Sequence, residues 1–227
     1  MRFKKINNLN IQNGVQPLLG VLAMWVTQDI VMRLFFKKKI VIGEHLLPSN
    51  NEYLILAPTH RSRWDGLMLT LALGRRVTSR DCRFMVTKSE MTGLQGWFLK
   101  RLGCFPINQE LPSLFSLKYA LKLIVNKQQL VIFPEGKINK IGKKLPLRQG
   151  LYRLAKLASK KVDSVKVIPI GIAYSQINPK FRGEVALCIE EPLEINDFLN
   201  STIEEFNQVL QERMSNAEQA ALNLVNR

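Results

Sequence analysis

Residues 53–74, YLILAPTHRSRWDGLMLTLALG, contain the transition that decides the fold. Tyr53–Pro58 is a continuous apolar run, which is typical of a strand buried on both faces of a parallel sheet. After a polar loop, residues 64–74 carry apolar side chains at helical spacing and end on a glycine, so this stretch predicts a helix. A buried strand followed directly by a helix is the building unit of an α/β fold.

The same alternation of strand and helix continues along the chain. Strands are predicted at residues 39–43, 83–87, 104–108, 130–133, 165–174 and 184–189, and helices at 94–102, 112–126, 150–160 and after a capping box at Ser201-x-x-Glu204. The sequence therefore predicts an α/β fold with a mostly parallel central sheet flanked by helices, as one domain over residues 39–227.

Charge is the unusual feature of the composition. The chain has 33 Lys and Arg against 18 Asp and Glu, a net charge of +15. A surface of this sign attracts nucleic acid, anionic lipid headgroups or phosphate-bearing substrates. The hydrophobic fraction of 46% is that of an ordinary globular domain and excludes wholesale disorder.

The cysteines predict buried free thiols rather than a disulfide or zinc framework. Cys82, Cys104 and Cys188 lie far apart in apolar stretches. Because there is no Cys-x-x-Cys pair and there are only two histidines, the pattern argues against a zinc site.

Residues 1–38 form a predicted basic and apolar helical arm in contact with membrane. Its apolar residues at helical spacing are Leu18, Leu22, Trp25, Ile30 and Leu34. The uninterrupted apolar part, 17–27, is shorter than a bilayer core of about 30 Å requires. Two alternatives stay open: an interfacial helix with Trp25, Phe35 and Phe36 in lipid, or a helix packed on its own domain. Since no signal peptide follows the basic start, we expect the chain to face the cytoplasm.

One predicted strand end carries a histidine and an aspartate. His60 leaves the strand and Asp65 stands at the start of the next helix, so the two side chains meet only if the loop folds back. A carboxylate that holds an imidazole is the arrangement of a general base. The alternative is that Asp65 only caps its helix and His60 is an ordinary loop residue.

A second predicted strand end is followed by cations. After Phe133-Pro134-Glu135-Gly136, the stretch from 137 to 162 contains no acidic residue. Its nine basic residues are Lys137, Lys140, Lys143, Lys144, Arg148, Arg153, Lys156, Lys160 and Lys161. Such a segment suits a phosphate site, and equally a solvated basic face. Glu135 at the end of a buried strand needs a partner, for which the downstream cations are candidates.

These segments together resemble the glycerolipid acyltransferases typified by 1-acylglycerol-3-phosphate acyltransferase. Four blocks stand in the family's order: HRSRWD at 60–65, GCFPI at 103–107, FPEG at 133–136 and VIPIG at 167–171. The similarity extends over about residues 41–192. Residues 39–227 would accordingly be the acyltransferase catalytic domain.

The resemblance implies an O-acyltransferase of phospholipid biosynthesis. The donor would be acyl-CoA or acyl carrier protein (ACP), and the acceptor the free hydroxyl of a lysoglycerolipid, foremost 1-acyl-sn-glycerol-3-phosphate. His60 would be the base, Asp65 its orienting partner, and no metal or other cofactor would be required. The residues expected around the substrates are Arg61, Arg63, Lys88, Gly103, Phe105, Ile107, Phe133, Pro134, Glu135, Gly136, Lys137 and Arg148. The expected location is the cytoplasmic face of a membrane with anionic lipid, without nucleic acid as a partner.

Two positions depart from the family's pattern. Gln109 and Ile138 stand where the family usually has arginines that grip the acceptor phosphate. Other cations could replace them, such as Lys137, Lys140, Arg148, Arg61 or Arg63. Otherwise the acceptor is a different lysolipid or a non-phosphate alcohol. From a different class, a non-catalytic basic lipid-binding or nucleic-acid-binding protein also stays open, although no zinc-finger, RNP or helix-turn-helix signature is present.

Overall fold

The computed structural model of the chain describes residues 14–108 and 113–227, and within them eight strands form one sheet. The strands are β1 (Phe36–Ile42), β2 (Tyr53–Pro58), β3 (Cys82–Thr87), β4 (Phe105–Ile107), β5 (Gln129–Val131), β6 (Val165–Tyr174), β7 (Gly183–Ile189) and β8 (Leu193–Glu194). Their order is β1-β7-β6-β2-β5-β3-β4, and β8 pairs with β6. Only the β6–β7 and β6–β8 pairings are antiparallel among the described strands. The mostly parallel α/β sheet predicted from the sequence is confirmed.

Helices cover both faces of this sheet. They are α1 (Pro17–Phe35), α2 (Asp65–Leu73), α3 (Arg75–Thr78), α4 (Gly93–Arg101), α5 (Leu114–Val125), α6 (Gly150–Ser159) and α7 (Ile203–Leu224). Successive side chains of β2 lie on opposite faces of the sheet. Leu54 and Leu56 pack with α2 on one face, whereas Ile55 packs with α5, α6 and α7 on the other. This two-sided burial explains the continuous apolar run.

Helix α7 begins one residue later than the sequence pattern predicts. The capping box is formed by Thr202 and Glu205, not by Ser201 and Glu204. The Ser201 N–H instead donates to the Phe198 carbonyl at 3.1 Å and closes the turn that follows the 3₁₀ helix Ile195–Phe198. Starting at Ile203, the helix places Phe206 and Leu210 in the core.

Helix α1 turns its apolar side outward. Leu18 is 85% exposed, and Trp25 and Leu34 are also exposed, whereas Gln28 is buried and donates to the Thr70 carbonyl at 2.9 Å. The 19-residue helix is long and apolar enough to cross a membrane, a criterion that core helices and signal sequences also meet. It is longer than the uninterrupted apolar run at 17–27.

The aromatic residues at the end of α1, which the interfacial alternative places in lipid, pack against the domain. Phe36 is buried, and Phe35 stacks on Trp64 with ring centroids 4.0 Å apart. Phe36 therefore belongs to the core, whereas Phe35 is half-buried and packs against it. Residues 36–38 lie in β1, residues 1–13 lie outside the described part of the chain, and the arm–domain division at residue 38 stays a prediction.

Candidate active site

The predicted catalytic histidine and the segment FPEG at 133–136 lie at the same edge of the sheet. Strands β2, β5 and β6 are parallel to one another, so their carboxyl ends lie at the same edge, which we call the site edge. His60 follows β2, residues 133–136 follow β5, and Tyr174 ends β6. Ligands of open α/β sheets bind at this edge.

The loop after β2 folds back and brings His60 onto Asp65. His60 Nδ1 lies 2.8 Å from Asp65 Oδ2, and the same oxygen accepts the backbone N–H groups of Arg61 at 2.7 Å and Ser62 at 2.9 Å. Because an ionised carboxylate can only accept, Nδ1 carries the ring proton and Nε2 is the basic nitrogen. Asp65 is thus both the brace of the loop and the partner of a histidine whose side chain is 21% exposed.

Tyr174 completes the shell around Asp65 and is a residue that the sequence analysis missed. Its hydroxyl donates to Asp65 Oδ1 at 2.7 Å. Burial and the negative charge of Asp65 raise the pKa of Tyr174 well above its ordinary value, so the phenol stays protonated. A tyrosine ending a strand that is apolar apart from Lys166 could have signalled this role, because a buried hydroxyl needs a partner.

The loop after β5 packs on the other side of His60. Phe133 stacks on the imidazole with ring centroids 4.0 Å apart. Gly136 has a φ of +70° and donates to the Phe133 carbonyl at 3.0 Å, which closes a tight turn. The Asn139 N–H donates to the His60 carbonyl at 2.7 Å. The ring of His60 is therefore fixed by stacking as well as by its hydrogen bond.

Arg61 lies between two carboxylates instead of facing a substrate. Its Nη1 lies 2.8 Å and 2.9 Å from the two oxygens of Glu135, and its Nε and Nη2 pair with Glu218 of α7. Burial opposes the charge of Arg61, but Glu218 and Glu135 outweigh it and raise its pKa. The partner of Glu135 is thus upstream in the chain, not among the downstream cations, and Glu218 is a second residue that the sequence analysis missed.

Comparison with known proteins gives the family. The family model described as Acyltransferase matches residues 38–173, more than half of the 227 residues. This chain belongs to the acyltransferase family. The resemblance drawn from the four sequence blocks is confirmed.

Two bacterial relatives of this acyltransferase bear the same name. It is 30% identical over 92 residues to 1-acyl-sn-glycerol-3-phosphate acyltransferase of Streptococcus pneumoniae (strain ATCC BAA-255 / R6). This match covers 40% of this chain and 33% of that protein. It is 28% identical over 159 residues to the protein of that name from Bacillus subtilis (strain 168), covering 70% and 75%. The match thus spans a third of the first relative and three quarters of the second. Their names support the predicted class, an O-acyltransferase.

A solved structure shares the fold. The 1-acyl-sn-glycerophosphate (LPA) acyltransferase PlsC from Thermotoga maritima superposes with a TM-score of 0.67 at 19% identity, over 88% of this chain and 80% of that one. At this identity the likeness establishes the fold alone.

Most of the remaining predicted substrate residues of the acyltransferase are either exposed or lie at the site edge. Lys88, Lys137 and Arg148 are exposed, as is Arg63, which pairs with Glu90 at 3.2 Å. Ile107 and Pro134 also follow or end strands at the site edge, where the Pro134 carbonyl accepts the Arg148 N–H at 2.8 Å.

The start of the second block does not reach the site. Gly103 precedes β4 and so lies at the opposite edge, with a φ of +85°, and its carbonyl accepts the Arg83 Nε–H at 2.9 Å. Phe105 is buried against Tyr119. Gln109, one of the two positions that depart from the family pattern, lies outside the described residues, whereas Ile138 is exposed.

The cysteines of the acyltransferase are buried and free, as predicted. Burial raises the pKa of Cys82 to about 12 and those of Cys104 and Cys188 to about 11. All three thiols therefore stay protonated near neutral pH, so none has the thiolate character of a nucleophile.

Replacing Tyr174 with phenylalanine tests its positioning role. We expect Tyr174→Phe to lower kcat about ten- to a hundredfold with little change in KM, since one hydrogen bond to a buried carboxylate is worth about 1.5–3 kcal/mol. Steady-state kinetics of acyl transfer measure both constants. The control is Tyr53→Phe on the same sheet; a purely structural role for Tyr174 would show as lost stability with kcat unchanged.

Removing Arg61 should destabilise the fold strongly. Arg61→Met leaves Glu135 and Glu218 buried without their cation, which costs about 3–5 kcal/mol of unfolding free energy. The matched control is Arg63→Met, because the Arg63 side chain is 75% exposed against 8% for Arg61, and an exposed pair is worth about 0–1 kcal/mol. Urea denaturation of both variants measures the difference. Equal losses would contradict the buried ion-pair role.

Proposed function

We propose that this acyltransferase moves a fatty acyl group from a thioester, acyl-CoA or acyl-ACP, to the free hydroxyl of 1-acyl-sn-glycerol-3-phosphate, giving phosphatidic acid. The observation that carries the proposal is His60, whose Nδ1 is held by buried Asp65 and whose Nε2 is basic at the site edge. The names of the two bacterial relatives support the acceptor.

The geometry supports direct transfer with His60 as general base. Nε2 removes the proton of the acceptor hydroxyl as its oxygen attacks the thioester carbonyl carbon. The tetrahedral intermediate then expels the thiolate, which receives the same proton from Nε2 and leaves as the free thiol. Asp65 stabilises the imidazolium that exists between these two steps, and the Tyr174 hydroxyl keeps Asp65 in place.

The acceptor phosphate would be held by exposed cations near the site edge. Ile138 cannot donate a hydrogen bond, and Arg61 is committed to its two carboxylates. Lys88, Lys137 and Arg148 are exposed and form no ion pair within the described residues. We assign the phosphate to this group. A different lysolipid or a non-phosphate alcohol is the second candidate acceptor, and Ile138 favours it.

The apolar outer side of α1 supports association with a membrane. Leu18, Trp25 and Leu34 offer lipid contacts, and the net charge of +15 suits anionic headgroups. We place the protein at the cytoplasmic face, as a peripheral or monotopic protein.

An acceptor panel in detergent micelles tests the proposal. Labelled acyl-CoA and acyl-ACP are offered with lysophosphatidic acid, lysophosphatidylcholine and monoacylglycerol to the wild type and to a Lys137→Ala/Arg148→Ala variant. We expect lysophosphatidic acid to react fastest and the variant to raise its KM about tenfold or more without changing KM for monoacylglycerol. Faster transfer to monoacylglycerol would assign a non-phosphate acceptor. No transfer to any lipid by a folded protein would favour the binding-protein alternative.

A further inference from the structure

Two loops beside His60 expose apolar side chains among cations. They are the loop at residues 137–144, after β5, and the loop at residues 175–182, between β6 and β7, and both lie at the site edge. We call them together the rim. Phe181 is 69% exposed and Ile141 55% exposed, and Ile138 and Ile177 are exposed as well. The surface of a soluble protein normally exposes apolar residues singly, whereas a cluster of exposed apolar residues beside a site indicates a contact surface.

The two rim loops are joined to each other and to the end of helix α1. Lys140 Nζ donates to Asn178 Oδ1 at 3.1 Å across the two loops. The Arg182 N–H donates to the Phe35 carbonyl at 2.6 Å, and the Phe181 and Phe35 rings meet edge to face with centroids 6.1 Å apart. The end of helix α1 therefore contacts the rim through the half-buried Phe35.

The charges of the rim are of one sign. Neither loop contains an acidic residue. The rim cations are Lys137, Lys140, Lys143, Lys144, Lys180 and Arg182. None of them forms an ion pair with a carboxylate of the described residues, in contrast to Arg75 and Arg76, which pair with aspartates.

A cavity beside the second rim loop, 175–182, adds a place for an anionic group. It has a volume of about 320 Å³ and is lined in part by Lys37, Ser175, Lys180 and Arg182. Glu184 also lines it and is neutralised by Lys37 at 3.0 Å. The net charge of this lining is positive, as the phosphate of a lipid headgroup requires.

We propose that the rim inserts into the surface of an anionic bilayer, so that the mouth of the His60 site opens directly onto lipid. Unpaired cations meet the headgroups, while Ile138, Ile141, Ile177 and Phe181 enter the acyl boundary, the composition of an interfacial contact. An acidic carrier protein would match the cations but not the four apolar side chains. The inference deepens the proposed function, since a lysolipid acceptor could then enter without leaving the membrane.

Fluorescent probes test the insertion directly. Ile141→Cys and Phe181→Cys are labelled with NBD, with Leu157→Cys as the control, because Leu157 is an exposed apolar residue on α6, away from the rim loops. The native cysteines are buried and stay unlabelled. With vesicles of phosphatidylcholine and phosphatidylglycerol we expect emission at residues 141 and 181 to shift to the blue and rise at least twofold, with residue 157 unchanged. Probes at 141 and 181 that behave like the one at 157 would overturn the proposal.

Charge reversal separates lipid from carrier protein. Lys143→Glu/Lys144→Glu is compared with Lys160→Glu/Lys161→Glu, which makes the same charge change at the end of α6, near the opposite edge. We expect the rim pair to weaken vesicle binding about tenfold more than the control pair, with unchanged turnover in detergent. Equal effects would contradict rim insertion. Unchanged vesicle binding with a loss confined to acyl-ACP would assign the rim to the carrier. If the wild type transfers no acyl group in detergent, the proposed function fails, whereas the probe shifts still decide the insertion.

Discussion

His60→Ala is expected to abolish acyl transfer, with a loss of at least about a thousandfold in kcat and an unchanged fold. His60 supplies the basic Nε2 while Asp65 holds the ring through Nδ1, so removal of the side chain leaves the acceptor hydroxyl without this base. Product formation from labelled thioester measures the loss, and circular dichroism checks the fold.

The control for this variant is the second histidine of the chain. His45 is exposed in the 3₁₀ turn Glu44–Leu46, so His45→Ala should retain full activity. Turnover of His60→Ala within tenfold of the wild type would show that another group takes the proton.

Asp65→Asn is expected to lower kcat by about three to four orders of magnitude, as when the carboxylate of a catalytic triad is replaced by an amide. Asp65 accepts from four donors: two backbone N–H groups, the Tyr174 hydroxyl and His60 Nδ1. An asparagine amide cannot accept all four, so the imidazole loses its orientation and the charge that stabilises its protonated form. Steady-state kinetics measure the loss, with Asp197→Asn in an exposed turn as the control.

The same variant should also lose stability, because an amide N–H group faces other donors in a buried site. Thermal unfolding separates this effect from the kinetic one. A stable Asp65→Asn protein with nearly full activity would show that Asp65 only braces the loop and the start of α2.

Local signals predicted most of the fold and the catalytic pair. The bounds of β2 and β6 agree with the sequence pattern, because β2 is a continuous apolar run and β6 is apolar apart from Lys166. His60 and Asp65 are five residues apart, so a single loop conformation brings them together. The capping box of α7 shifted by one residue because Ser201 and Thr202 both precede a glutamate at the required spacing.

The residues that the sequence could not reveal come from far along the chain. Tyr174 meets Asp65 across 109 residues, and Glu218 meets Arg61 across 157. Neither has a local signature: Glu218 is one of several acidic residues on an amphipathic helix, and only the packing of α7 on β6 aims it at Arg61. The outward side of α1 likewise follows from tertiary contacts, since its apolar spacing fits either a buried or an exposed stripe.

Release of thiol from an acyl thioester, measured with and without lysophosphatidic acid, tests direct transfer by His60 most closely. Wild-type protein and His60→Ala are compared, and intact-protein mass is recorded in parallel. Direct transfer by His60 predicts that thiol release requires the acceptor, equals the new ester one for one, disappears in His60→Ala and leaves the protein unacylated. Acceptor-independent thiol release with an acyl group on the protein would contradict it.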